Sequence, residues 1–128
     1  MKTNLILLKI AGSISILFML FHLGFQKLFD WEHSLKCLNV CDHSILLTYH
    51  YISILILSFM GLVPLVQGRL LLSSPLKYSV LSFFALFYLI RIITEFTLFG
   101  LSIASPIILI MCIIPLICYL IPMIRKSI

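Results

Sequence analysis

The sequence predicts an all-α polytopic integral membrane protein, a four-transmembrane-helix bundle with both termini on the cytoplasmic side. Three observations predict it. Of 128 residues, 62% are hydrophobic and only 10% charged, where a soluble domain needs about a quarter of its residues charged to cover its surface. The mean hydropathy is +1.24, which excludes a disordered chain as well as an ordinary globular one. Charges are also confined to the edges of long apolar stretches, and a hydrocarbon core of about 30 Å needs about 20 such residues per helix. The whole length, residues 1–128, is then used by one membrane domain.

The first span is expected over residues 4–29. No charge interrupts the chain between Lys9 and Lys27, and Lys9 can snorkel to the headgroups. This segment reads as a retained helix rather than a cleaved leader, because its apolar run is too long and no small-x-small site follows. The outer loop is expected over 30–44 and the second span over 45–67, punctuated by Pro64 and Gly68. An inner loop over 68–77 holds Arg69, Ser73, Ser74, Pro75 and Lys77. The third span, 78–100, is interrupted by Arg91 and Glu95, and the fourth, 105–124, is closed by Arg125 and Lys126. Only a short turn separates these two, and Pro106 suits the first turn of a helix. No internal repeat is visible.

Basic residues gather on the cytoplasmic side of membrane proteins. Lys2, Lys9, Arg69, Lys77, Arg125 and Lys126 fall on the side of the termini, against Lys27 and Lys36 on the other. Both termini are therefore expected inside, with the cytoplasmic (plasma) membrane as the location. The outer loop would then carry Asp30, Glu32 and Asp42, with Trp31 as an interfacial anchor. The net charge of +5 reads as topology and not as a nucleic-acid footprint, since no soluble face is left to carry one.

Ionisable side chains inside a span cost about 2.5 to 3.5 kcal/mol each on the most lenient scale. His22, His50, Arg91 and Glu95 are such residues. At a rise of about 1.5 Å per residue, His22, His50 and Glu95 each lie roughly 9 Å outward of the middle of their spans, with Arg91 one turn deeper. Unrelated accidents would scatter over depth and over both leaflets. Arg91 and Glu95, four apart, can neutralise one another and share a face with Phe84 and Tyr88. Gln26 stacks one turn beyond His22, and Ser53 lies one turn below Tyr49 and His50. The expectation is an outward-opening polar pocket between helices one to three, with His22, His50, Arg91, Glu95, Tyr88 and Gln26 as ligand-binding candidates. Small residues (Gly12, Ser13, Ser15, Ser53, Ser58, Gly61) would let the helices approach closely. The bland alternative is that the same side chains are packing glue, each contributing about 0.6 kcal/mol.

A quinone head group suits such a pocket, since His and Tyr can donate to its carbonyls and Glu95 can exchange protons. A lipid head group would pair with Arg91 and Lys27, haem b would use His22 and His50 as axial ligands, and cation transport would use Glu95. Two further classes stay open: a redox protein using haem or a Cys37/Cys41 thiol–disulfide couple, and a non-catalytic subunit or assembly factor of a larger membrane complex. Beyond the lipid bilayer and such a complex, no partner is implied.

Cys37 and Cys41 are a candidate loop disulfide, on the side where oxidising conditions prevail. The pattern His33-x3-Cys37-x3-Cys41-x-His43 matches no standard zinc spacing. Four spans with outward cysteines resemble the quinone-linked disulfide-forming membrane proteins in topology alone. Those need two communicating cysteine pairs, whereas Cys112 and Cys118 lie within the fourth span on different helix faces. No P-loop, GxGxxG, HExxH or Ser-His-Asp constellation can be placed, so no catalytic residue is assigned.

Overall fold

The computed structural model describes residues 1–125, so Lys126, expected to close the last span, lies outside them. Among the described residues every regular element is helical: α1 Lys2–Leu23, α2 Phe25–Leu28, α3 Trp31–Ser34, α4 Val40–Ser73, α5 Lys77–Thr97 and α6 Ser105–Ile124. Four of them, α1, α4, α5 and α6, are long and apolar enough to cross a membrane. Their outer faces carry exposed Ile, Leu and Phe side chains along most of their length, which suits lipid as the solvent of those faces.

Helix boundaries depart from the expected spans in three places, each with a local cause. One is the end of α4, which runs through Ser73 and takes in Gly68 and Arg69 of the expected inner loop 68–77, stopping where Ser74, extended ahead of Pro75, leaves the helix. The first helix stops at Leu23, because the Gly24 N–H bonds back to the Phe21 carbonyl, three residues away, at 3.1 Å. Glycine forms helix poorly, and the chain resumes as the short helix α2. The second long helix starts at Val40, five residues before Ile45, because the Asn39 side chain caps it by accepting the Asp42 N–H at 2.8 Å. At 34 residues α4 is about 51 Å long, well beyond one bilayer core. Gln67 breaks its helical geometry (φ −113°, ψ 16°) one turn after Pro64. As expected, Pro106 occupies the first turn of α6.

Helix α1 is the hub of the bundle, packed along α4 and α6, while α5 packs along α6 and meets α4 least. Backbones touch where α1 crosses α4. A Cβ added at Gly12 would stand 2.9 Å from the Gly61 carbonyl oxygen, and one added at Gly61 would stand 3.1 Å from that of Gly12. Of the other small residues, Ser15 is buried, whereas Ser13 is exposed. Ser53 and Ser58 donate back to carbonyls of their own helix, Tyr49 and Ile54.

The core is closed by a polar knot that joins all four long helices. Ser15 of α1 shares hydrogen bonds with the hydroxyls of Tyr88 on α5 (2.8 Å) and Tyr119 on α6 (3.2 Å). Tyr119 donates in turn to the Met60 carbonyl of α4 at 3.0 Å. That carbonyl is available because Pro64, four residues on, has no N–H to give it. Around the knot pack Leu8, Ala11, Phe84, Ala85 and Cys112. Both termini of the described chain lie at one end of this bundle, and the turn between α5 and α6 lies at the other, the loop end.

Candidate functional site

At the loop end, the last turn of α1 presents His22. Its Nδ1 lies 2.8 Å from the Phe18 carbonyl oxygen. A carbonyl can only accept, so Nδ1 carries the proton and Nε2 is left with a bare lone pair. The Gly24 turn then folds Phe25 back over His22, the rings 4.2 Å apart and 23° from parallel. Across the helix junction, the His50 ring of α4 lies 6.3 Å from His22 and 5.8 Å from Phe25, at 21° to each.

A second chain reversal brings in the only tryptophan. Asp30 adopts a left-handed conformation (φ 46°, ψ 54°), one that a short polar side chain tolerates better than most. Its carboxylate is held by the Nδ1 of His33 at 2.9 Å. This turn carries Trp31 onto His50, edge to face, with ring centroids 4.9 Å apart. His50 is consequently 6% exposed, yet neither ring nitrogen has a hydrogen-bond partner among the described residues. Gln26 does not line this cluster directly. It donates to the Tyr51 hydroxyl at 3.2 Å and ties α2 to α4.

Arg91 and Glu95 form a second unit on α5. Arg91 Nη1 and Glu95 Oε2 are 2.8 Å apart, and neither atom has another partner among the described residues. The second carboxylate oxygen accepts the Ser105 hydroxyl at 2.6 Å. Ser105 also accepts the Ser102 N–H at 2.9 Å, so the pair pins the turn between α5 and α6. Glu95 sits against the first turn of α6, where a negative charge is favoured by the helix dipole. The Arg91 guanidinium packs over the Phe99 ring at 4.8 Å. The two units are built differently: one is an aromatic stack with open nitrogens, the other an ion pair whose carboxylate is also held by Ser105.

Six ligand-binding candidates were expected to share one pocket, and the structure divides them. His22 and His50 are brought together. Arg91 and Glu95 pair with each other, and Glu95, 1% exposed, faces the α5–α6 turn. Tyr88, also 1% exposed, is turned into the bundle and engaged by Ser15, which takes it away from the histidines. Phe25 and Trp31 complete the histidine cluster and were not singled out for it. The signal for Phe25 was its position three residues after His22, although only the break at Gly24 turns that spacing into a stack.

Cys37 and Cys41, the candidate disulfide pair, are both free and exposed thiols in this structure. The cap at Asn39 places Cys41 in the first turn of α4, while the Cys37 thiol donates to the Ser34 carbonyl in the turn after α3. Cys112 and Cys118 are buried as small apolar residues.

This constellation stands without a parallel to lend it a role: no family model matches the chain, and no curated protein or solved structure matches it either.

Proposed function

We propose that this is a multi-pass protein of the cytoplasmic membrane, termini inside, that binds a lipid-soluble ligand with a quinone-like head group among His22, Phe25, Trp31 and His50. The observation that carries this reading is the open hydrogen-bonding capacity of two histidines set within an aromatic stack. Intramembrane ionisable groups are expensive and are usually spent on partners. Among the described residues, His22 Nε2 and both nitrogens of His50 are left for something else, beside flat rings against which a flat head group can stack.

A lipid head-group phosphate is the related reading, and it fits less well. It would call on Arg91, whose guanidinium is already engaged by Glu95 and by the Phe99 ring. The orientation rests on the basic residues, with Lys2, Lys9, Arg69, Lys77 and Arg125 toward the termini and Lys27 and Lys36 toward the loop end.

Native mass spectrometry of the protein released from mild detergent tests the reading. Wild type should retain a small lipid-soluble molecule that both His22→Ala and His50→Ala lose while remaining folded. Retention in both variants, or no bound molecule in wild type at any gentle condition, would contradict it. A haem mass would point to the two histidines as axial ligands instead.

A further inference from the structure

We propose that the site prefers the reduced, hydroxyl-bearing form of a quinone-like head group over the oxidised, carbonyl-bearing form. The inference rests on the reading of the site given above. It adds the redox state of the ligand, and the geometry that carries it is a single hydrogen bond within α1.

A neutral imidazole has one N–H and one lone pair. His22 spends its N–H on the Phe18 carbonyl at 2.8 Å, and a hydrogen bond to a carbonyl admits no reversal of roles. Its Nε2 can therefore accept but cannot donate. A hydroquinone hydroxyl supplies the hydrogen this atom needs. A quinone carbonyl supplies only another lone pair, and the two oppose each other in a poorly solvated setting.

The other polar groups nearby do not cancel this difference. His50 has both ring nitrogens open among the described residues and can take either tautomer, so it serves either form equally. Donors remain near this cluster, in the Trp31 indole N–H, the Tyr51 hydroxyl and the Arg91 N–H groups other than those facing Glu95, but a hydroquinone hydroxyl accepts as well as donates, so they serve either form. Gln26 has spent an amide hydrogen on Tyr51, and the Tyr88 hydroxyl is buried with Ser15. His22 Nε2, an acceptor with no hydrogen of its own, is thus the group in this cluster that a hydroxyl satisfies and a carbonyl does not.

The test uses the full chain in lipid nanodiscs with a decyl-substituted benzoquinone and its chemically reduced hydroquinone, each titrated anaerobically by calorimetry. Trp31, the only tryptophan, reports by its emission whether a ligand occupies this cluster. The hydroquinone should bind about tenfold tighter, the worth of one net hydrogen bond. In His22→Phe, which keeps the ring and removes the lone pair, that advantage should vanish, with the hydroquinone bound more weakly and the quinone no more weakly than before. His22→Gln, whose amide both donates and accepts, should also abolish the preference and serves if the first variant does not fold. His50→Phe should leave the preference in place. Equal binding, tighter quinone binding, or a preference that survives both His22 substitutions would overturn the inference while leaving the site a quinoid one. If neither form binds or alters Trp31 emission, the inference and the reading of the site are overturned together.

Discussion

Tyr119 donates its hydroxyl hydrogen to the Met60 carbonyl 3.0 Å away, and Pro64 is the reason that this carbonyl is free. A proline inside a membrane helix leaves an acceptor that lipid cannot satisfy, so another helix must supply the donor. Here the donor comes from α6, and the same hydroxyl meets Ser15 of α1. The break in α4 is thereby made into a cross-link between three helices.

Tyr119→Phe should therefore destabilise the protein by about 1 to 3 kcal/mol, the cost of leaving a buried acceptor unpaired. Pro64→Ala restores an N–H to α4, which can bond Met60 within the helix. In that background Tyr119→Phe should cost clearly less. Unfolding of the four variants in detergent gives the cycle, and additive costs would show that the proline and the tyrosine act independently.

The crossing of α1 and α4 depends on the absence of side chains at Gly12 and Gly61. Gly12→Ala puts a methyl group 2.9 Å from the Gly61 carbonyl oxygen, a backbone atom that yields only if the helices part. A loss of about 1 to 3 kcal/mol is expected. Ser13→Ala, one residue along on the exposed face, should change thermal stability little, and equal effects at the two positions would contradict this contact.

Which parts of this were legible in the sequence follows from what a single chain can display. The spans were readable because a charge within lipid is costly, so charges fall where helices leave it. The neighbourhood of His22 and His50 was readable from counting depth along two antiparallel helices. The knot of Ser15, Tyr88, Tyr119 and Met60 was not, because it depends on which helix faces which, and periodicity places Tyr88 on the face of Arg91 and Glu95 without naming its neighbour on α1. The early start of α4 had a signal in Asn39 followed three residues later by Asp42, a capping pattern set within a loop rich in polar residues. The stack of Phe25 on His22 required the Gly24 break, whose angle a sequence does not specify.

The Arg91–Glu95 pair should behave as a structural pin for the α5–α6 turn. Arg91→Leu leaves the buried Glu95 charge without its counter-ion and should cost about 3 to 5 kcal/mol. Adding Glu95→Gln removes that charge while keeping an acceptor for Ser105, so the double variant should recover much of the loss. If the double variant is no more stable than Arg91→Leu in thermal melts, the pair is not the source of the effect.

The four cysteines provide a test of topology. Cys37 and Cys41 are exposed near the loop end, whereas Cys112 and Cys118 are buried. A membrane-impermeant maleimide added to intact cells should label Cys37 and Cys41 and spare the other two until the protein is unfolded. Labelling only after the inner face is exposed would reverse the proposed orientation.

The central claim is that a lipid-soluble ligand sits at the loop end against His22, Phe25, Trp31 and His50. Photo-crosslinking tests it most directly, with an azido-benzoquinone carrying a short alkyl tail, applied to the protein in nanodiscs and followed by peptide mapping. Adducts should concentrate on residues 22–31 and around His50, should fall in competition with the unmodified benzoquinone, and should be lost in His22→Ala. Adducts spread over the lipid-facing sides of α5 and α6, or indifferent to competitor and substitution, would contradict the site.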